Sequence, residues 1–421
     1  MFRFLHAADL HLDSPLRGLA RYEAAPLDTL RSASRRAFVN LVDLAIAERV
    51  AFVLLVGDLY DGDWKDYSTG IFLSRHVGRL RDQGIPVFAV AGNHDAANKI
   101  THALELPTNM RMFKTRKPES VKVDGLNVVI HGQGFETQHV TQNLAADYPP
   151  AHPGAFNIGM LHTSLDGRQD HANYAPCSME DLRARGYQYW ALGHVHAREI
   201  VATDPWVVYP GCTQGRHVRE TGPKGCTLVT VEDDAVMEVE HRDLDVLRWE
   251  LCRVELAGVE STDQAIHRVH QAMARARDGA GQRPVAMRVQ LEGACSVGNA
   301  LRAFPARTEQ QIRAVAADIS AEDIWVEKVI VNVTARLDKE AVLSGDTALA
   351  QLLRDIHALP DSFASVTGLG DALDKLKVQL PVEALDPESG LDLNDDAVLG
   401  QLVAEAKEML TGRLLDHGGE G

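Results

Sequence analysis

Over its first 240 residues the chain alternates short apolar runs with stretches of helical spacing, and several of the runs are closed by polar side chains. RFLHAADLH ends on Asp9 and His11, VAFVLLVGD on Asp58, and FNIGMLH on His162. VFAVAGNHD carries Asn93 at its end, and YWALGHVH carries His194 and His196. Short runs of this kind read as buried strands. Between them Phe38, Leu41, Val42 and Ala45 recur at helical spacing, with Asp28 as the expected N-cap. A second helix is predicted near 67–83, ending at Gly84, and a strand over 85–91. Further strands are expected at 120–131, 155–161, 187–192, 206–209, 225–232 and 236–241. The alternation of strand and helix indicates a layered α/β domain. The last three strands read as antiparallel, which favours a two-sheet sandwich over a single doubly wound sheet.

The pattern changes after residue 240. A strand near 247–256 leads into Ser261-Thr-Asp-Gln264, a capping arrangement, and a helix with Ile266, Val269, Met273 and Ala276 on one face. Val285, Met287, Val289 and Leu291 alternate with polar or small residues, as in a half-buried strand. A helix near 307–318 and a strand at 325–336 complete a β-α-β-α-β unit. From 338 onward, leucines at 349, 352 and 353 with Ile356, and at 369, 373, 376 and 380, mark short amphipathic helices. These faces suit packing on the chain's own domains or docking of a partner helix. The segment 385–396 reads as a linker before a last helix to about Leu415. The expected organisation is therefore a domain at 1–240, a small α/β domain at 244–337 and an acidic helical tail at 338–421.

Composition narrows the class. A chain of 421 residues with 45% hydrophobic and 24% charged residues exceeds one ordinary core and is expected to be globular. No segment reaches the roughly 18 uninterrupted apolar residues of a membrane span. The N-terminus lacks the apolar core of a secretory signal. Five cysteines without CxxC spacing fit free thiols and a cytoplasmic location. The net charge of −16 argues at first against a nucleic-acid partner, but it is unevenly spread. Residues 1–240 hold 24 basic and 29 acidic groups, 241–337 hold 13 of each, and 338–421 hold 6 and 17. Local patches govern phosphate contacts, and Arg111, Lys114, Arg116, Lys117 and Lys122 form the clearest one, which reads equally well as a solvated loop.

The polar residues closing the strands carry the chemistry. Ligands bind at the carboxyl ends of strands in open α/β sheets. Asp9, His11, Asp58, Asn93, His162, His194 and His196 form a mixed Asp, His and Asn set suited to borderline divalent ions such as manganese, iron or zinc. Asp9 and His11 are two apart, so in an extended segment both reach the same side. Glycine precedes Asp58, Asn93 and His194, permitting sharp turns and close approach. Seven ligands exceed the needs of one ion with open positions but serve two ions sharing a carboxylate, the arrangement that hydrolyses phosphate esters.

The series DLH, GDLYD, GNHD, a lone strand-end His and GHVH resembles the calcineurin-like metallophosphoesterase superfamily. Within it the chain looks most like the DNA-repair branch of SbcD-type nuclease subunits. HAADLHLDSPL and YPGCTQGRHVRETGPKG are similar to the YhaO-like group of that branch. The resemblance covers residues 1–196 for the superfamily motifs and reaches about 225 for the narrower group. It implies a metallophosphoesterase β-sandwich flanked by helices, then a small α/β capping domain and a helical tail. It implies that Asp9, His11 and His196 hold one ion, that Asn93, His162 and His194 hold the other, that Asp58 bridges, and that manganese is used. His94 matches the family's catalytic histidine, and Asp95 would orient it. Where archaeal and eukaryotic nucleases carry a histidine at the last position of GDLYD, this chain has Asp61, so the balance of exonuclease and endonuclease action stays open. The implied partners are DNA, an SMC-like coiled-coil ATPase of the SbcC type and a second copy of the chain, with no membrane.

Other residues carry two readings each. His131 fits a core histidine better than a site residue, and His6 reads as packing. Arg198, Arg216 and Arg219 suit phosphate contacts or surface ion pairs. Tyr60 and Tyr209 suit nucleotide stacking or core packing, and Asp13 with Ser14 suits a turn beside the metal loop. The function expected is a metal-dependent DNA nuclease. The competitors are a phosphodiesterase for small or cyclic nucleotides and a non-catalytic metal-binding scaffold. A protein serine/threonine phosphatase is disfavoured, since those enzymes show an Arg after the bridging motif and GNHE, against GDLYDGD and GNHD here.

Overall fold

The computed structural model describes residues 1–14, 27–61, 68–97, 106–166, 174–335, 347–360, 370, 373–375 and 395–417. The leucine-faced segment at 369–380 and the linker at 385–396 therefore fall almost entirely outside the described residues. Two compact units divide between Trp249 and Glu250.

The first unit is built on two six-stranded sheets. One contains β1 (Phe2–Ala7), β2 (Phe52–Val56), β3 (Val87–Val90), β4 (Met110–Met112), β11 (Gly225–Glu232) and β12 (Ala235–Asp243), in the order β12-β11-β1-β2-β3-β4. The other contains β5 (Glu119–Lys122), β6 (Val128–Gly132), β7 (Phe156–His162), β8 (Tyr189–Gly193), β9 (Glu199–Thr203) and β10 (Trp206–Tyr209), in the order β5-β6-β7-β8-β10-β9. β1 through β4 are parallel, as are β6, β7, β8 and β10. The outer strands β12, β5 and β9 pair antiparallel, and β11 runs antiparallel to β1.

The period of two along each strand explains the layers. Phe4, Phe52, Leu54, Val56, Phe88 and Val90 point between the sheets, where they meet Ile130, Phe156, Ile158, Met160, Tyr189 and Ala191. Phe4 and Phe52 stack there with ring centroids 5.0 Å apart. Their neighbours Leu5, Val53, Leu55, Val87 and Ala89 point the other way, onto α1 (Leu27–Ala47) and α2 (Ser68–Arg81) through Phe38, Leu41, Leu73 and Val77. On the far side Leu161, Trp190 and Leu192 pack on Leu144, Tyr148 and Leu182, which lie in or beside a 3-10 turn at Leu144–Asp147 and α4 (Met179–Arg183). Strands buried on both faces read as continuous apolar runs, as these do. The expected sandwich is present, with three differences. α1 already contains Asp28, so that residue does not cap it. The expected strand at 120–131 is two antiparallel strands, β5 and β6. β10 pairs parallel with β8 on one side.

The second unit holds β13 (Arg248–Glu255) from Glu250 onward, α5 (Thr262–Gly279), β14 (Val285–Cys295), α6 (Gly298–Ala303), α7 (Pro305–Ser320) and β15 (Ile324–Ala335). The sheet order is β13-β14-β15, and β14 and β15 are parallel. Ser261 caps α5 by accepting from the Gln264 amide. Val269, Met273, Ile312 and Val315 from α5 and α7 cover Met287, Val289, Leu291 and Val326 of the sheet. α8 (Ala348–His357) and α9 (Asp396–His417) follow. α9 lies against α6, with Arg302 paired to Glu408 at 2.6 Å and Arg413 donating to the Ala303 carbonyl. All five cysteines are free and buried. Among the described residues no helix is long and apolar enough to cross a membrane.

Candidate metal centre

Parallel strands present their carboxyl ends together, and the seven polar residues converge there. Asp9 and His11 follow β1, Asp58 follows β2, and Asn93 opens the short α3 (Asn93–Ala97) after β3. His162 is the last residue of β7, and His194 follows β8 directly. Asp9, His11, Asp58, Asn93, His162 and His194 are buried, and His196 is partly so.

The atoms that face one another are those a cation would use. His11 Nε2 lies 3.2 Å from His196 Nε2 and 3.8 Å from Asp58 Oδ2, and His196 Nε2 lies 3.8 Å from Asp9 Oδ1. On the other side of Asp58, His162 Nε2 is 3.5 Å from Asp58 Oδ2 and 3.1 Å from Asn93 Oδ1. The His194 ring stands 5.3 Å from that of His162. Asp9, His11 and His196 thus form one triad of potential ligands, Asp9, Asp58 and His162 a second, and His11, Asp58 and His94 a third. Asp58 Oδ2 stands between His11 at 3.8 Å and His162 at 3.5 Å.

The backbone is bent to achieve this. Asp9, His11, Asp58 and His194 all have positive φ, at 52°, 41°, 51° and 99°. Residues with a Cβ occupy that region only at a cost of order 1–3 kcal/mol, and such outliers gather at functional sites. Local hydrogen bonds hold the turns: the Asp9 amide donates to the Gly57 carbonyl and the His11 amide to that of Asp58. The His194 amide donates to Asp9 at 3.0 Å and the His94 amide to Asp58 at 3.0 Å. Gly57, at φ 81°, leaves room for the His162 ring, which a Cβ there would overlap. His162 Nδ1 is engaged by the Val56 carbonyl at 3.0 Å, which fixes Nε2 toward the centre.

The charges are interdependent. Burial opposes ionisation of Asp58, but His162 and then His11 hold its carboxyl well below the usual carboxylate range. Burial likewise disfavours a charged His162, yet Asp58 pushes it up to about 9. Burial drives His11 well below its ordinary value, and Asp9 is raised, again chiefly by burial. His11 Nδ1 is buried with no hydrogen-bond partner, 3.9 Å from Asp61 Oδ1. Concentrated carboxylate and imidazole groups facing one another across less than 4 Å suit divalent cations, which compete with the protons on these atoms.

His94 stands beside the centre with its side chain one-third exposed. Its Nδ1 lies 2.8 Å from Asp61 Oδ1, and that hydrogen bond raises its proton affinity above the ordinary histidine value. The expectation that Asp95 orients this ring is corrected here. Asp95 Oδ1 accepts from the Leu59 and Tyr60 amides and Oδ2 from the Gly92 amide, so it ties the β2 and β3 loops together. Its position in the first turn of α3 turns the carboxylate back onto backbone. Asp61 instead reaches His94, and also accepts from Ser14 and Arg216.

Two residues escaped the sequence reading in this role. Glu220 Oε1 takes His196 Nδ1 at 2.7 Å, leaving Nε2 for the centre, and Arg216 pairs with Glu220 at 3.1 Å. His6 and His131 are core histidines: His6 bonds Tyr189 and the Leu192 carbonyl, and His131 bonds Ser120 and Asn157. Tyr209 is buried and donates to the Thr163 carbonyl, and Tyr60 is buried. Asp13 joins Arg35 and Thr69. In the basic patch, Arg111 and Lys114 face Glu119, and Arg116 faces Glu136.

A match to the calcineurin-like phosphoesterases covers residues 2–198, and a match to the middle domain of metallophosphoesterase YhaO covers 249–334. The chain is 35% identical over 294 residues to the "Uncharacterized metallophosphoesterase YhaO" of Bacillus subtilis (strain 168), covering 69% of this chain and 71% of that protein. It is 24% identical over 306 residues to the DNA double-strand break repair protein Mre11 of Methanopyrus kandleri, covering 64% and 62%. To the Mre11 of Sulfurisphaera tokodaii it is 27% identical over 255 residues, covering 58% and 63%. The chain spans a little under two thirds of these two archaeal proteins.

Proposed function

Because this chain belongs to the calcineurin-like metallophosphoesterase family, and so hydrolyses phosphodiester bonds, we propose that its substrate is DNA and that it is a metal-dependent nuclease of DNA repair. The observation behind the choice of DNA is the extent of similarity to double-strand break repair proteins. It takes in 64% of the chain, more than the phosphoesterase match at 2–198 contains.

In this reading Asp9, His11 and His196 hold one divalent ion, Asn93, His162 and His194 hold a second, and Asp58 is shared, with manganese the metal used. The donor set fits. His11 Nδ1 is turned away and orphaned while Nε2 faces His196, and Val56 and Glu220 fix the inward tautomers of His162 and His196. When bound, such a pair of ions polarises the phosphoryl group and activates water. His94 donates its Nε2 proton to the leaving oxygen, and Asp61 orients its ring through Nδ1. Asp95 serves the same centre indirectly, by fixing the loop from which His94 projects.

Residues 1–240 form the hydrolytic domain, 244–337 a cap that selects DNA ends, and 338–421 a tail that docks an SMC-like coiled-coil ATPase. The chain acts in the cytoplasm, as a homodimer, without a membrane. With manganese the purified protein degrades linear DNA, and His94→Ala lowers that rate by about 10²–10⁴-fold with both ions retained. Wild-type turnover by the variant, or cleavage of cyclic nucleotides but not DNA, would sink the reading.

A further inference from the structure

Arg216, on the loop between β10 and β11, occupies an unusual place beside the centre. Its side chain is 17% exposed and lies between two acidic residues that are 159 positions apart (61 and 220). Nη1 lies 3.3 Å from Asp61 Oδ2, and Nη2 lies 3.1 Å from Glu220 Oε1 and 3.2 Å from His196 Nδ1. The Arg216 amide also donates to Glu220 Oε2 at 2.7 Å. Each carboxylate has a second duty. Asp61 Oδ1 receives His94 Nδ1, and Glu220 Oε1 receives His196 Nδ1. One guanidinium therefore links the proposed acid to a proposed metal ligand through a continuous line of charge-assisted contacts. A planar guanidinium offers its donors in a fixed fork and stays charged, which an ammonium on a flexible stem does not reproduce.

We propose that Arg216 is a positioning residue for the proton-donating pair, clamping Asp61 and Glu220 so that His94 is held in register with His196. The inference rests on His94 being the leaving-group acid. In that step the bond from phosphorus to the leaving oxygen breaks with its electron pair. The proton on His94 Nε2 moves to that oxygen, water supplies the oxygen that joins phosphorus, and the proton lost by water passes to solvent. Without Arg216 the partly buried carboxylate of Asp61 and the buried one of Glu220 lose their common counter-charge. Asp61 is then free to turn from His94, for instance toward His11 Nδ1 at 3.9 Å.

A leaving group that departs readily as an anion needs little proton donation, whereas an alkoxide needs it fully. The test compares a nitrophenyl ester of thymidine phosphate with a thymidine dinucleotide, both with manganese, for wild type, Arg216→Met, Arg216→Lys and His94→Ala. Arg216→Met is expected to slow both substrates, and the dinucleotide about tenfold more in kcat, within the range typical of residues that orient ligands. KM for the two substrates should move together, and metal content should match wild type. His94→Ala should show the same or greater discrimination. Arg216→Lys, reaching one carboxylate only, should fall between wild type and Arg216→Met. Discrimination by His94→Ala without discrimination by Arg216→Met overturns the clamp and leaves the acid assignment standing. Equal losses on both substrates in His94→Ala overturn the acid assignment and the clamp with it. Full activity of Arg216→Lys overturns the two-ended geometry, and this variant decides the matter should Arg216→Met fail to fold.

Discussion

Asp61 meets His94 at 2.8 Å through Nδ1, while the residue next to His94 in the chain, Asp95, spends both oxygens on backbone amides. Two carboxylates beside one histidine therefore have separable duties, and substitution should separate them. Asp61→Asn is expected to lower kcat about 10–100-fold with little effect on unfolding. Asp95→Asn is expected to destabilise the fold by about 1–3 kcal/mol, because buried amides lose a charged acceptor. Steady-state rates and urea unfolding of both variants check this; the reverse pattern would return the orienting role to Asp95.

Gly92 sits where a Cβ would collide with the Asp58 carboxylate and lie 2.6 Å from the Asp58 amide nitrogen. Gly92→Ala must push the Asp58 carboxylate or the backbone beside it out of place. Manganese binding, followed by calorimetry, should weaken about tenfold or more, in line with disturbance of groups that orient ligands. Undiminished binding would show that Asp58 is not where the ions sit.

His6 supplies a pH dependence away from the ligands. Burial lowers its pKa from 6.5 to about 3, only partly offset by the Leu192 carbonyl. The unfolded chain then binds a proton that the folded chain refuses between these values. Its contribution to stability is present above pH 6.5 and is lost as pH falls toward 3. Between pH 6.5 and 5 the loss is about 2 kcal/mol. His6→Leu should flatten the slope of unfolding free energy against pH in chelator-treated protein by that amount. An unchanged slope would show that His6 takes up a proton in the folded state.

Much of the candidate metal centre was legible because strand ends are marked twice in the sequence, by the close of an apolar run and by the polar residue that follows. Asp9, Asp58, His162 and His194 carry both marks, and the structure gathers them. The supporting residues carry neither. Glu220 lies 24 positions from His196 in an irregular loop, and only the return of the chain from β10 to β11 brings the two together. Asp95 misled for the opposite reason: adjacency in sequence to His94 says nothing about direction once a helix begins at Asn93. The short strands β4 and β9 were invisible because three to five residues at or near a sheet edge show too few alternations to read.

The placement of β11 beside β1 has a consequence for the chain as it is made. The strand that leads to Asp9 and His11 gains its second neighbour only from residues 225–232, and His194, His196 and Glu220 also arrive late. Synthesis runs from the N-terminus at a few residues per second or somewhat faster. A ribosome must therefore deliver more than half of this polypeptide before the loops that carry the candidate ligands have their full support. Until then the nascent chain carries the first of the candidate ligands, Asp9 and His11, without the late-arriving residues that complete the cluster.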